Sequence, residues 1–206
     1  MSVESQAKSY FHLNEKDNGE LAALCYNILL SAQNAVPFKS WTTRMLSLGG
    51  FTILKKVTEE MVEFVIAVCW DSPSGVCEEC ADLIYHILLL FVGFEIKYEE
   101  MFRAGINQIG VATSSPCLEK TLSNFRTVNL NGYSSNDALT SAVSKLYLSV
   151  SSLTSVCLLI NTNIAITEET VSNAVRKVFI NVMTLLRYRA IRYQEVANVL
   201  IARCNH

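Results

Sequence analysis

Five carboxylates at helical spacing, set inside strongly apolar sequence, constrain this chain more than any other feature. They are Glu59, Glu60, Glu63, Glu79 and Asp82. Residues three or four apart share a helix face, so each of the two groups aligns its carboxylates. Two such faces packed together repel unless a hard cation lies between them, and Mg²⁺ prefers carboxylate oxygen and phosphate. The pattern predicts two packed helices around Mg²⁺, or Mn²⁺ in its place, and a role in phosphate chemistry.

The alternative interpretation is a solvated helix face, as for most glutamate runs. Against it, residues 57–68 are otherwise mainly apolar, and residues 80–92 are apolar nearly all round, which is typical of a buried helix. Burying Asp82 near the start of that helix is unfavourable without a partner or a metal. The residues therefore favour the metal site.

Further residues around the carboxylates carry a family resemblance. Ser40-Trp41-Thr42 precedes them, Lys56-Val57 stands directly before the glutamates, and Tyr85-His86 follows Asp82. Together with the carboxylates, these residues resemble phosphoribosyl-ATP pyrophosphohydrolase of histidine biosynthesis, and the resemblance spans roughly residues 40–103. This family is one of the all-α, MazG-type nucleoside triphosphate pyrophosphatases. The resemblance implies Mg²⁺-dependent cleavage of an α/β phosphoanhydride in a phosphoribosyl-ATP-like nucleotide triphosphate, with release of pyrophosphate.

The site and the resemblance together assign roles to individual residues. Glu59 is the natural general base or outer-shell residue, and Lys56 can reach phosphate oxygens. A bound cation would neutralise the triphosphate and activate water for attack. The predicted metal ligands are Glu60, Glu63, Glu79 and Asp82.

The chain departs from the family pattern at one motif. The family's last helix usually closes with Leu-x-x-Arg, and here those positions hold Gly105 and Gln108. This departure keeps a second interpretation open, a non-catalytic nucleotide-binding or protein-interaction module on the same fold. A third is a helical adaptor whose residues 1–39 recruit a partner.

The C-terminal third resembles a second, eroded copy of the same unit. Residues 96–101 match residues 191–196 at an offset of 95, and the same offset puts Glu79 and Asp82 on Ala174 and Lys177. A match through the preceding helix puts the three glutamates of the first group on Tyr147, Leu148 and Ser151.

The second copy thus lacks every metal carboxylate, yet Leu200 and Arg203 restore the Leu-x-x-Arg ending. We expect a fused pseudo-dimer, with helices 136–160 and 168–188 packed on helices 44–70 and 76–93. The expected division is a helical leader (1–39), the catalytic unit (40–109), a linker (110–135) and the degenerate unit (136–206).

Charge also differs between the halves. Residues 134–206 hold seven Lys or Arg against four Asp or Glu, whereas the whole chain has a net charge of −2. A basic half facing an acidic site suits a triphosphate. Lys177 and Arg203 are the predicted substrate-binding residues of this half, because the resemblance puts them at positions equivalent to those of the family unit. Arg187, Arg189 and Arg192 could also bind substrate. The alternative is that these three belong to an ordinary solvated helix end, where cations complement the helix dipole.

Composition predicts an all-α fold. The chain is 50% hydrophobic and has only eight Gly and three Pro in 206 residues, with long apolar patterns of helical period. Asn18, Ser74 and Thr167 are the expected helix caps. The predicted helices are 19–35, 44–70, 76–93, 97–109, 136–160, 168–188 and 192–204.

Other features exclude function classes or carry little weight. Cys77-x-x-Cys80 lacks a second ligand pair, and scattered cysteines are typical of a reducing, cytoplasmic location. The apolar run 84–94 is too short for a membrane span, and no signal peptide is recognisable. Basic residues do not interleave with aromatic ones, so no nucleic-acid partner is expected. A homo-oligomer stays open.

Overall fold

A computed structural model describes residues 18–33, 40–96, 135–160 and 168–204, together with positions 162 and 166. Every regular element in this part of the chain is a helix, and the predicted all-α class is confirmed. The predicted helix 97–109, most of the linker and the proposed cap Thr167 lie outside the described residues. The helices are α1 (Asn18–Gln33), α2 (Trp41–Ser47), α3 (Gly50–Trp70), α4 (Pro73–Gly93), α5 (Ser135–Ile160), α6 (Glu168–Tyr188) and α7 (Tyr193–Cys204).

Helix α4 lies at the centre of the core. It packs most extensively on α3 and also contacts α1, α2 and α7. Its apolar stretch is buried on all sides, with Leu83, Ile87 and Leu88 fully inaccessible to solvent. Burial of this kind contributes roughly 25 cal/mol per Å² of apolar surface, so the helix that carries Glu79 and Asp82 is held from several directions.

The predicted helix 44–70 is in fact two helices. Helix α2 ends at Ser47 and α3 begins at Gly50, and Gly49 between them has φ of 84°. That conformation is open to glycine at little steric cost. Apolar periodicity continues across residues 44–70, which is why the sequence pattern did not show the break.

The predicted cap of the next helix was also wrong. Ser72, not Ser74, is the N-cap of α4: its hydroxyl accepts a hydrogen bond from the backbone N–H of Gly75 at 3.3 Å. Pro73 follows at the first helical position, where its missing N–H has no consequence. The turn between α3 and α4 is therefore only Asp71 and Ser72, which forces the two helices to run antiparallel.

Helices α4 and α6 each end in a turn of the same kind. Glu95 and Ala190 both have φ of 56°. The N–H of the following residue reaches back to the carbonyl five positions earlier, from Ile96 to Phe91 and from Ile191 to Leu186, each at 2.9 Å. This is the Schellman arrangement of a helix C-terminus.

The two halves of the chain are in contact. Helix α7 packs on α4 and α1, and α5 touches α3. The guanidinium of Arg189, just after α6, donates to the backbone carbonyls of Val68 and Asp71 at the end of α3. Helix α6 itself packs mainly on α5, so α7 rather than the predicted 168–188 covers the first helix pair.

Within the described residues, one helical segment, Asp137–Ile160 of α5, is long and apolar enough to span a membrane. Core helices of soluble proteins often have the same length and composition. Helix α5 packs on α6 and leaves Tyr147, Leu148 and Leu158 exposed.

Candidate active site

Three of the four predicted metal ligands meet between α3 and α4. Carboxylate oxygens of Glu60, Glu79 and Asp82 all lie within 4.8 Å of one another. Glu60 is buried and the other two are partly buried. We call these three residues the carboxylate triad. Oxygen donors at this separation suit a hard divalent cation such as Mg²⁺ or Mn²⁺.

Glu63 lies at the edge of the triad. It is exposed, one helical turn after Glu60 on α3. Desolvation and the nearby Glu60 raise the pKa of Glu63. The fourth predicted ligand is thus beside the triad without being one of its three members.

Burial and mutual repulsion perturb the triad. Burial, together with smaller effects of Glu60 and Glu79, raises the pKa of Asp82 to about 6 against the opposing effect of Arg203. The pKa of Glu79 is also raised, by burial first and then by Glu63 and Glu60. Since ionised carboxylates are disfavoured here, a bound cation would relieve the strain, and the donor set fits one.

Lys56 binds the outer side of the triad. Its Nζ lies 2.9 Å from Glu60 Oε1 and 3.1 Å from Glu59 Oε2. Burial acts to lower the pKa of Lys56, but the bonds to both glutamates outweigh it and raise the pKa to about 12.

Glu59 is consequently paired with Lys56 outside the triad. Its side chain is half exposed, and the hydrogen bond from Lys56 lowers its pKa. A lowered pKa makes a carboxylate a weaker proton acceptor. The general-base role of Glu59 stays a prediction.

His86 connects the triad to a group of aromatic rings. Its Nδ1 lies 2.8 Å from the backbone carbonyl of Asp82, so Nδ1 carries the proton, and 3.6 Å from Glu60 Oε1. Burial lowers the pKa of His86 to about 4, and the imidazole is neutral near pH 7. Nε2 is then a buried acceptor, without a hydrogen-bond partner among the described residues.

Trp41 and Tyr85 lie next to this imidazole. The Trp41 ring centroid is 5.1 Å from that of His86 and 6.1 Å from that of Tyr85. The Tyr85 hydroxyl is 2.5 Å from Thr42 Oγ1. Sequence reasoning used the Ser40-Trp41-Thr42 motif only as a family marker and assigned Trp41 no role.

Arg203 brings the C-terminal half to the site. Its Nη2, on α7, lies 2.7 Å from Asp82 Oδ2. Lys177 is exposed on α6, and within the described residues no hydrogen bond or ion pair links its side chain to the triad. The structure therefore brings one of the two predicted basic residues of this half to the carboxylates.

Comparisons with known proteins identify related sequences. Residues 25–105 match the family model for phosphoribosyl-ATP pyrophosphohydrolase. A phosphoribosyl-ATP pyrophosphatase of Geobacter sulfurreducens is 31% identical over 44% of this chain and 82% of its own length. One from Sinorhizobium medicae is 36% identical over 31% of this chain and 59% of its own length.

A third relative is longer. The histidine biosynthesis bifunctional protein HisIE of Wolinella succinogenes is 39% identical over 43% of this chain, and the match spans 41% of that protein. The match therefore covers less than two thirds of both the Wolinella and the Sinorhizobium proteins. The comparison with solved structures gave no match.

Proposed function

Because the chain belongs to the phosphoribosyl-ATP pyrophosphohydrolase family, we propose that it hydrolyses the α/β phosphoanhydride of phosphoribosyl-ATP and releases pyrophosphate. The observation that carries this proposal is the triad of Glu60, Glu79 and Asp82, with carboxylate oxygens within 4.8 Å of one another on two packed helices. Related proteins named phosphoribosyl-ATP pyrophosphatase support the choice of nucleotide.

The triad, with Glu63 at its edge, would hold Mg²⁺ or Mn²⁺. When bound, the cation supplies charge neutralisation of the polyphosphate and Lewis-acid polarisation of the anhydride. The chain's own task is to hold crowded carboxylates in place before substrate arrives, and the packing of α3 on α4 does this. Desolvation of Asp82 and Glu79 is the free-energy cost of that preorganisation.

Cationic side chains around the triad would contact the substrate. Lys56 and Arg203 support this, because each binds one carboxylate of the triad and is therefore next to the proposed cation site. Arginine pairs with phosphate through two parallel hydrogen bonds, and lysine acts as a point charge. Glu59, which is paired with Lys56, would be an outer-shell residue or the general base for the attacking water rather than a ligand of the cation. Lys177 is the weakest candidate for a substrate contact.

We also propose that the described part of the C-terminal third is a degenerate second copy of the unit. The Schellman turns at Glu95 and Ala190 support this, because they stand at the offset of 95 that aligns the two sequences. Both turns end the second helix of a packed helix pair. We further propose that the enzyme is cytoplasmic, that it has no nucleic-acid or membrane partner, and that it is able to form a homo-oligomer.

The test is pyrophosphate release from phosphoribosyl-ATP, ATP and a panel of other nucleotides, with Mg²⁺, with Mn²⁺ and with a chelator. We expect release from phosphoribosyl-ATP that the chelator abolishes and that Glu60→Gln removes. Glu78→Gln is the matched control, because Glu78 is an exposed carboxylate on α4 beside Glu79 and is outside the triad. The proposal fails if the folded protein releases pyrophosphate from no nucleotide with either cation.

One observation favours a second candidate, a nucleotide-binding module without catalysis. Arg203 and Lys56 already neutralise Asp82 and Glu60, and such internal cations could replace a metal. In that case calorimetry would show nucleotide binding that the chelator leaves unchanged, with no pyrophosphate released.

A further inference from the structure

Trp41 presents a large aromatic surface beside the triad. Its side chain is 48% exposed, and its ring centroid lies 5.1 Å from that of His86. Nδ1 of the same imidazole lies 3.6 Å from Glu60 Oε1. A single imidazole thus separates the indole from the carboxylates, much as a single ribose separates the base of a nucleotide from its phosphates.

The indole is held in place before any ligand binds. Ser40 and Thr43 form a capping box that fixes the backbone of Trp41 at the start of α2. The rings of Tyr85 and His86, both buried, contact the indole from α4. A ring fixed in this way loses little conformational freedom when a base stacks on it.

Trp70 provides a contrast within the same chain. It is the last residue of α3 and is 78% exposed, with no ring contact among the described residues. It lies ten positions after Glu60, about 15 Å along the helix axis. The chain contains two Trp, so each can serve as the control for the other.

Nε2 of His86, which has no hydrogen-bond partner among the described residues, is a second, independent sign of a ligand. It is buried, and the imidazole that carries it contacts the indole. Buried polar atoms are nearly always hydrogen-bonded, and an exception calls for an explanation. A hydroxyl or amino group of a bound nucleotide would supply the missing partner.

We infer that the indole of Trp41 stacks on the adenine of the nucleotide. The stacking selects an adenine that carries a substituent on its ring nitrogen N1. The inference rests on the proposed function. Phosphoribosyl-ATP carries its extra ribosyl group on that nitrogen, and an adenine alkylated there is cationic. Trp is the best side chain for binding a cation over an aromatic face, so stacking favours this base over the neutral adenine of ATP.

The probes are α,β-methylene-ATP, which resists cleavage at the proposed bond, and its N1-methyl derivative, each with Mg²⁺. In Trp70→Phe protein, whose single Trp is Trp41, either analogue should quench the emission strongly. In Trp41→Phe protein, which reports only Trp70, the emission should stay unchanged. Calorimetry on the same proteins determines when the site is saturated.

Affinity gives the second measurement. The wild-type protein should bind the N1-methyl analogue roughly two- to thirtyfold more tightly than the unmethylated one. Trp41→Leu should weaken binding of the N1-methyl analogue about five- to hundredfold and bring the ratio of the two affinities close to one. Trp70→Leu, the matched control, should change neither.

The outcomes separate the inference from the function it rests on. If the wild-type protein releases pyrophosphate from phosphoribosyl-ATP but saturation leaves Trp41 emission unchanged in Trp70→Phe protein, the stacking inference is wrong and the function stands. If calorimetry shows that no analogue binds and no pyrophosphate is released, both fail. Should Trp41→Leu not fold, the emission of Trp70→Phe protein decides alone.

Discussion

The helix pairs α3–α4 and α5–α6 each end in a Schellman turn, but they carry different side chains at the positions that the offset of the two sequences aligns. In the first pair, Glu60, Glu79 and Asp82 crowd together. In the second pair, the positions aligned with these carboxylates hold Leu148, which is 71% exposed, the buried Ala174 and the exposed Lys177. Both pairs pack closely all the same.

Under the proposed duplication, this difference means that the helical scaffold does not need the carboxylates. Burial and repulsion raise the pKa values of Glu79 and Asp82, which means that these groups destabilise the folded chain when ionised. If the second pair is a degenerate copy, as proposed above, its packing without such groups implies that the fold has no structural use for them. Groups that lower stability and that the fold does not require are expected at functional sites.

Among the tests of this contrast between the helix pairs, replacing carboxylates of the first pair should have the largest effect, and that effect should be on turnover. Glu63→Gln and Asp82→Asn should each lower Mg²⁺-dependent kcat about a hundredfold or more, because losing metal-based stabilisation of charge removes several kcal/mol. The melting temperature of the metal-free protein should stay the same or rise by about 2–4 °C, the equivalent of ~1 kcal/mol. Near wild-type turnover in either variant would contradict the assignment of that ligand.

Replacing basic residues should have the next largest effect. Arg203→Ala should lower kcat/KM for the nucleotide roughly ten- to hundredfold, since a charge-assisted hydrogen bond is worth about 1.5–3 kcal/mol. Lys177→Ala tests whether the second pair contributes its own cation, and we expect a smaller loss because Lys177 has no contact with the triad in the described structure. Steady-state kinetics with denaturation controls make the comparison. Unchanged kinetics in both variants would leave the C-terminal half a structural one.

Dependence of stability on pH should distinguish the pairs as well. The folded-state pKa of Asp82 is about 6, above its ordinary value of 3.8, so the folded chain binds more protons than the unfolded chain between these values. Stability from this group is present in full below about pH 4 and is lost as the pH rises through about 6. Mg²⁺ should therefore raise the melting temperature more at about pH 7.5 than at about pH 5. Asp82→Asn should reduce this difference, and an equal Mg²⁺ effect at both pH values would argue against the site.

The smallest effect concerns the feature that the pairs share. Glu95 and Ala190 adopt left-handed φ, which is unfavourable for residues with a Cβ. Glu95→Gly and Ala190→Gly should each raise the free energy of unfolding by about 0.5–1 kcal/mol, measured by urea titration. Glycine placed at Leu89 or Thr184, inside the helices, should instead destabilise. Opposite signs at the two turns would weaken the case for related units.

Sequence alone predicted much of this fold and part of its site. Long apolar runs at helical period predicted α5 and α6 to within one residue, because their packing follows that period. The end of α4 was also predicted correctly, but its start is three residues earlier than expected. The break at Gly49 was missed, since one residue with positive φ leaves no trace in periodicity. The spacing of Glu60, Glu79 and Asp82 predicted their approach. Arg203 was selected from the apparent duplication, but its pairing with Asp82 depends on tertiary packing across 121 positions.

The hydrogen bonds from Arg189 to the end of α3 have a consequence for the order in which the site folds. The Arg189 guanidinium joins carbonyls that are 118 and 121 positions away along the chain, and contacts between such distant residues form slowly because a long loop must close first. We therefore expect the turn between α3 and α4 to become fully ordered late in folding. Refolding followed by Mg²⁺ binding should lag behind the recovery of helical circular dichroism, and Arg189→Lys should widen that lag.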